Sequence, residues 1–350
     1  MRTAIGIGGA DSGRKRDFDQ ALAFVVEADR LGVDCVWSAE AWGQDAIAPL
    51  AWVGARTQRI QLGTGIMQVS ARVPSMTAMT ALTMAAISGD RFILGLGASG
   101  PQVVEGLHGR PFRAPLARMR ETVEIVRLAF AGEKLEYHGD HHQMPLTGDG
   151  TTGQGKPLRL SQAGNGKIPI YLATLAPKAL ELTGAIADGW LGTSFTPEGA
   201  EAHLEHLRRG AEAAGRTLAD IDIQVGGTIG FGDPQELAEP LKRGMAFTLG
   251  AMGSAKTNFY NDAYRRGGWE ADAKAVQALW LQGRRDEAAA RVPTEMVLQA
   301  HLIGDEAMVT ARMRAYRDAG VNTLRLTPLG GDAQERLDTL GRGLELLAGL

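Results

Sequence analysis

Short apolar runs recur along this chain, each followed by a polar or Gly/Pro-containing tip and then, directly or after an insertion, by a helical pattern. The runs are Ile5–Gly8, Cys35–Ser38, Ile60–Ile66, Phe92–Gly97, Ile168–Ala173, Trp190–Thr193, Ile221–Ile229 and Thr323–Thr327. Eight such units closing on themselves give an α/β fold, a (β/α)8 TIM barrel, in which every strand tip faces one mouth. Two intervals exceed one standard connection, about 132–167 after the fourth run and 233–292 after the seventh. Barrels with insertions of this kind run to 350 residues as one domain, so 1–350 reads as a single unit.

The third run constrains the site. Ile60, Gln61 and Leu62 read as buried strand, but Gly63 and Gly65 follow where a strand would place bulk. Glycine there marks a bulge or a close approach of another body to the backbone. A helix is expected from Pro74, with Met76 to Ser88 rich in Ala, Met and Leu.

Bulk properties narrow the function classes. A formal net charge of -3 and scattered Lys and Arg leave no basic footprint for nucleic acid. Cys35 is the only cysteine, which excludes an intrachain disulfide, and inside a strand it reads as a small buried residue. The opening residues hold no apolar stretch long enough for a signal peptide and no window approaches a membrane span, so the expected compartment is the cytosol.

Chemistry-bearing residues fall at the tips. Gly8, Gly9 and Gly13 open the first, and a helix from Asp17 is stopped by Gly32. The second tip, Ser38 to Gly43, brings Glu40 and Trp42 to the mouth, and a short helix from Ala46 to Arg56 follows. The fourth tip runs Gly95-Leu96-Gly97-Ala98-Ser99-Gly100. It matches G-x-G-x-x-G but lacks the acid at the end of the next strand that a dinucleotide site needs, because Glu121 and Glu124 lie in an amphipathic helix, Arg118 to Ala131. The first insertion reads as a hairpin, Lys134 to Met144, around Gly139-Asp140, and Thr151 to Gly155 as a loop over the mouth. His138, His141 and His142 read as solvated surface, with no Cys nearby and no helical spacing to make a metal site.

At the fifth tip, Pro177 starts a helix with Lys178 beside it, and at the sixth Thr193 and Thr196 precede Pro197. Free N–H groups, the helix dipole and a lysine make an anion or phosphate pocket. The alternative for the fifth tip taken alone is an ordinary αβ turn with an exposed lysine, and the neighbouring sixth tip favours the pocket. The second insertion carries Lys242, Arg243, Lys256, Tyr260, Tyr264, Arg265, Arg266, Trp269 and Trp280, and is expected to be a lid or substrate wall. Asp305 to Ala319 and Asp332 to Leu347 read as the last two helices.

The blocks Leu62 to Ile66, Leu94 to Gly106, Arg118 to Thr122, Ile170 to Lys178 and Ala187 to Trp190, in this order and spacing, resemble the luciferase-like monooxygenase superfamily, and within it the branch that uses the deazaflavin coenzyme F420. The resemblance implies a bacterial luciferase-like barrel, a homodimer, and a deazaflavin ring at the mouth. A non-proline cis peptide would fall at Gly65 to Ile66, pressing a bulge of Gly65, Ile66 and Met67 on the ring, with Gly97, Ala98 and Ser99 at the neighbouring tip. The phosphate end would lie on Thr174, Leu175, Ala176 and Lys178, with Thr193 and Thr196 adding hydroxyls. The sugar-phosphate dehydrogenases of this branch have Asp-His at the second tip where this chain has Ala39-Glu40, so glucose 6-phosphate is a poor substrate guess.

The chemistry implied is hydride transfer between the deazaflavin C5 and a carbonyl, imine or activated alkene. Glu40, in an apolar pocket covered by the ring, would carry the proton, since such burial raises a carboxyl pKa. The alternative at Glu40 is a structural carboxylate. At the level of function the alternatives are an FMN-dependent monooxygenase of the same superfamily and a non-catalytic flavin-binding barrel.

Overall fold

The computed structural model describes residues 1–7, 13–253 and 257–350, so Gly8 and Gly9 of the first tip and Lys256 of the second insertion lie outside the described residues. Eight parallel strands form the barrel: β1 (Arg2–Gly6), β2 (Cys35–Ser38), β3 (Gln61–Thr64), β4 (Phe92–Gly97), β5 (Ile170–Ala173), β6 (Gly189–Leu191), β7 (Asp222–Phe231) and β8 (Thr323–Pro328). They pair in sequence order, β8 returns to β1, and β4 pairs with β5, so the sheet closes. The helices that coat them are α1 (Lys15–Leu31), α2 (Ile47–Gly54), α3 (Pro74–Ser88), α4 (Pro115–Phe130), α5 (Pro177–Ile186), α6 (Glu201–Ala213), α7 (Glu306–Asp318) and α8 (Ala333–Ala348). Gly32 ends α1 at φ 106°, a left-handed conformation that suits glycine, and Pro74 is the first residue of α3.

Alternation along each strand divides its side chains between two cores. Ile5, Val36, Leu62, Leu94, Leu172, Val225, Leu324 and Leu326 point outward and pack against the helices. Ala4, Cys35, Trp37, Ile93, Tyr171 and Leu191 point inward and fill the barrel. The floor is polar: Tyr171 Oη donates to Asp222 Oδ2 at 2.5 Å, Thr323 Oγ1 donates to the same carboxylate, and Arg2 pairs with it. Above the floor Trp37 leans on Tyr171, ring centroids 5.8 Å apart, so the interior is packed and only its top is open.

The two insertions lie at opposite ends of the barrel. The first follows α4, which runs antiparallel to the strands, and therefore begins and finishes at their N-terminal ends. Lys134–Leu135 pairs with Leu158–Arg159, and Tyr137–His138 with Gln143–Met144. The hairpin then climbs the flank of α4, where Glu121 accepts the main-chain N–H groups of Asp140 and His141 and bonds His142 Nδ1 at 3.0 Å. The loop Thr151 to Gly155, expected over the mouth, is thus rooted away from it, with Gly155 against Pro145 and Leu146.

The second insertion follows β7 at the mouth. Its helices, Pro234–Ala251, Phe259–Tyr264, Glu270–Leu281, Arg285–Ala290 and Thr294–Ala300, share an apolar cluster of their own around Met245, Leu249, Tyr264, Val276 and Met296. Leu302–Gly304 then pairs in parallel with the upper end of β7, a three-residue strand too short to register as a run. No described helix is long and apolar enough to cross a membrane.

Candidate active site

The third strand leaves its ladder at the mouth. After Thr64 the peptide Gly65–Ile66 is cis, as the resemblance implied, and the chain rejoins β4 at Met67–Gln68. Main-chain bonds fix this bulge to the second tip: Gly65 N–H donates to the Ser38 carbonyl at 2.7 Å, and Glu40 N–H to the Ile66 carbonyl at 2.9 Å. Thr64 Oγ1 ties it to the fourth strand, donating to the Gly95 carbonyl at 2.8 Å and accepting the Gly95 N–H at 2.9 Å.

The glycines around the bulge are cleared for protein groups as much as for a ligand. A Cβ on Gly63 would lie 2.2 Å from the Trp37 indole, and one on Gly95 1.8 Å from the Thr64 carbonyl oxygen. A Cβ on Gly97 would lie 2.7 Å from Ile66 Cδ1, so Gly97 makes room for Ile66 instead of facing a ring. Gly65 itself stays partly accessible, as does Ile66, while Met67 is fully buried in the outer core and offers no surface to a cofactor. Ala98 and Ser99 remain partly accessible beside them, Ser99 at φ 59°.

Glu40 occupies a different environment from the apolar pocket expected. Arg72 Nη1 stands 2.6 Å from one carboxylate oxygen and 2.8 Å from the other, which also accepts the Gln68 N–H at 2.9 Å. Gln68 in turn donates to the Ala41 carbonyl and meets His108 at 3.1 Å. The carboxylate is fastened on the outer side of the bulge by a cation 32 residues away in sequence. Trp42, by contrast, is 65% exposed at the same tip.

At the expected phosphate end the structure redistributes the donors. Lys178 is turned outward to Glu181 at 3.0 Å, and its side chain is 81% exposed. The spacing of the pair, three residues apart on a helix, is the local signal that sequence reasoning passed over. Thr174 spends its hydroxyl on Thr183 at 2.7 Å and its carbonyl on the Trp190 indole N–H at 2.9 Å. Thr196 caps its own turn by accepting the Gly199 N–H.

Leu175, Ala176 and Thr193 are partly accessible, and Thr193 sits next to Ser194, whose buried hydroxyl has no partner. The cation at this end is Arg266 of the second insertion, which donates to the Leu175 carbonyl at 2.8 Å and keeps a buried Nε without a partner. Separated by 91 residues from that carbonyl, its placement left no trace in the sequence.

Two histidines near these tips are held neutral. His203 lies between Trp190 and Phe195, centroids 5.4 Å and 5.7 Å away, and burial pushes its pKa down to about 4. His301 accepts the Thr228 N–H at Nδ1, and burial likewise lowers it to about 4. Among the described residues no three His, Cys, Asp or Glu side chains converge as a metal site.

The mouth therefore offers a bare main-chain bulge on one side and hydroxyl, main-chain and guanidinium donors at the fifth and sixth tips. These residues fit an elongated cofactor with a flat ring and an anionic tail. The family model for luciferase-like monooxygenases matches residues 3–323. A Mycobacterium tuberculosis protein named for coenzyme F420-dependent oxidoreductase activity is 42% identical over 319 residues, 90% of this chain and 91% of its own length. An F420-dependent glucose-6-phosphate dehydrogenase of Mycolicibacterium gilvum is 27% identical over 93% of each chain. The solved structure of the F420-dependent tetrahydromethanopterin reductase of Methanopyrus kandleri superimposes with a TM-score of 0.78 at 23% identity, covering 97% of both chains. The chain belongs to the luciferase-like monooxygenase family.

Proposed function

We propose that this protein is a coenzyme F420-dependent oxidoreductase that transfers a hydride between the cofactor and a small carbonyl, imine or activated alkene substrate. The observation that carries the reading is the anchored bulge at Gly65 and Ile66, open to the mouth beside a donor-rich tail site, in a chain 42% identical to a protein named for that cofactor. When bound, the deazaflavin ring supplies a hydride carrier at its C5 position and no oxygen chemistry.

The protein's part is positioning. Gly65 and Ile66 back one face of the ring, and Ala98 and Ser99 border it. Thr193, Arg266 and the main chain at Leu175 and Ala176 hold the anionic tail, where a guanidinium and helix-start N–H groups favour phosphate. Glu40 fixes the bulge through Gln68 and Arg72. The second insertion covers the tail site and excludes water, which strengthens the electrostatics within.

Residues 1–350 act as one unit in the cytosol. They pair as a homodimer through α3, where exposed Met76, Met79 and Ile87, with Val73 just before the helix, make an apolar stripe of the kind that marks interfaces. Titration with coenzyme F420 and with FMN, followed by cofactor fluorescence, tests the reading. Saturable quenching of the deazaflavin with no FMN binding supports it. Tighter binding of FMN, with oxygen consumed on reduction, overturns it in favour of a monooxygenase.

A further inference from the structure

The inner faces of β7 and β8 carry two polar groups for which no described residue supplies a counter-charge. Strand register fixes its place: Arg325 lies beside Ala4 of β1 and Gly226 of β7, and Gln224 lies beside Thr323 of β8 and Leu191 of β6. Ala4 and Leu191 belong to the core inside the barrel, so Arg325 and Gln224 face that interior, Gln224 level with the floor residue Thr323 and Arg325 two residues further along β8. Gly226 lets the two strands approach closely here, since a Cβ on it would lie 1.9 Å from the Arg325 carbonyl oxygen.

The floor acid cannot neutralise it. Asp222 is already taken by Arg2, Tyr171 and Thr323. Among the described residues no carboxylate pairs with Arg325, and burial lowers the guanidinium pKa, the effect expected of a cation with no carboxylate facing it. Gln224 is 1% exposed, and its Oε1 has no hydrogen-bond partner among the described residues. Arg325 is half-buried and a buried amide such as Gln224 is ordinarily paired, so both groups are open to a ligand.

Position says which ligand. Around the barrel β8 is separated from β3 by β1 and β2, which puts Arg325 across the mouth from the bulge. A ring resting on Gly65 and Ile66 turns its free face toward this wall. We propose that Arg325, with Gln224 beside it, is the substrate's anion subsite, and that the substrate carries a carboxylate next to the carbon that exchanges hydride. An oxo acid or an α,β-unsaturated acid has that chemistry, and a guanidinium presents two parallel donors to a carboxylate. The inference rests on the hydride-transfer reading of the mouth.

The test loads wild type and Arg325→Gln with coenzyme F420 and titrates each with crotonate, 2-oxobutanoate and the neutral crotonamide, reading the fluorescence of the bound deazaflavin. Wild type is expected to bind the acids about ten-fold or more tighter than the amide, as loss of one charge-assisted pair implies. Arg325→Gln should lose that preference while its F420 affinity stays within about two-fold. No acid preference in wild type overturns the proposal. So does an F420 affinity that falls as far as acid affinity in Arg325→Gln, because the anionic oxygen then belongs to the cofactor.

Should wild type take up no F420, the proposed function fails, and the subsite is read separately on apoprotein by tryptophan fluorescence with the same acids. Acid binding lost in Arg325→Gln then upholds the subsite, and its absence in wild type overturns it. Thermal melts guard against a merely structural role. Removing an unpartnered cation should leave Tm unchanged or higher, and Gln224→Glu, which supplies an internal carboxylate, should raise Tm and abolish acid binding. A fall of more than roughly 5 °C in Arg325→Gln marks the guanidinium as structural and contradicts the proposal.

Discussion

Individual residues around the bulge separate positioning from chemistry. Glu40→Ala removes the acceptor for the Gln68 N–H and the partner of Arg72, at a cost of about 1–3 kcal/mol, and is expected to lower both Tm and F420 affinity. Glu40→Gln keeps one acceptor and should do so more mildly. A proton carrier would behave differently, losing turnover in Glu40→Gln with affinity intact, so steady-state rates and binding measured together decide between the two. The glycines form a graded pair. Gly95→Ala drives its Cβ into the Thr64 carbonyl at 1.8 Å, a backbone clash that should abolish soluble expression, whereas Gly97→Ala meets only the flexible end of Ile66 at 2.7 Å. The second variant should fold and bind F420 more weakly.

His203 supplies a pH signature. Its folded pKa of about 4 lies below the unfolded value near 6.5, so the unfolded chain binds the extra proton and stability falls as pH drops from about 6.5 toward 4. The loss is on the order of 3 kcal/mol for a ring this buried. With no hydrogen bond to either nitrogen, His203→Phe should fold and flatten this part of the Tm against pH curve.

Strands and helices were largely legible because each barrel strand is buried on both faces and therefore reads as an unbroken apolar run. Cys35–Ser38 and Phe92–Gly97 were bounded correctly, and the others shifted by up to three residues, three at Arg2 and two at Ile170 and Phe231, where pairing decides the end. The bulge was legible too, since Gly63 and Gly65 had no reason to be glycine in an ordinary strand. What escaped were bonds between distant elements: Arg72 on Glu40, Arg266 on Leu175, Thr183 on Thr174. No periodicity encodes those, and they tie Glu40 and Thr174 into the framework, while Lys178 is drawn outward by the local pair with Glu181. The second insertion is tied down through one of them. Arg266→Ala should release it from the fifth tip, weaken F420 binding by about ten-fold, and raise amide exchange at Leu175 and Lys178, with Tm nearly unchanged. Unaltered affinity would detach the insertion from the cofactor site.

The whole molecule places recognition at one end and support at the other. The polar floor of Arg2, Asp222, Tyr171 and Thr323 closes the barrel below, Trp37 fills its waist, and the tips above are free to carry a ligand. The proposed association through α3 would leave the mouth of each copy open. Met76→Glu combined with Ile87→Glu should convert the dimer to monomer by light scattering, and a wild-type protein that is already monomeric would remove that proposal. The structure of the protein with coenzyme F420 bound probes the central claim most directly. The account predicts the deazaflavin ring lying flat on the Gly65–Ile66 main chain, its free face toward Arg325 and its phosphate within reach of Thr193 and Arg266. A ring found elsewhere, or standing edge-on to the bulge with Arg325 out of contact with the substrate side, would contradict it.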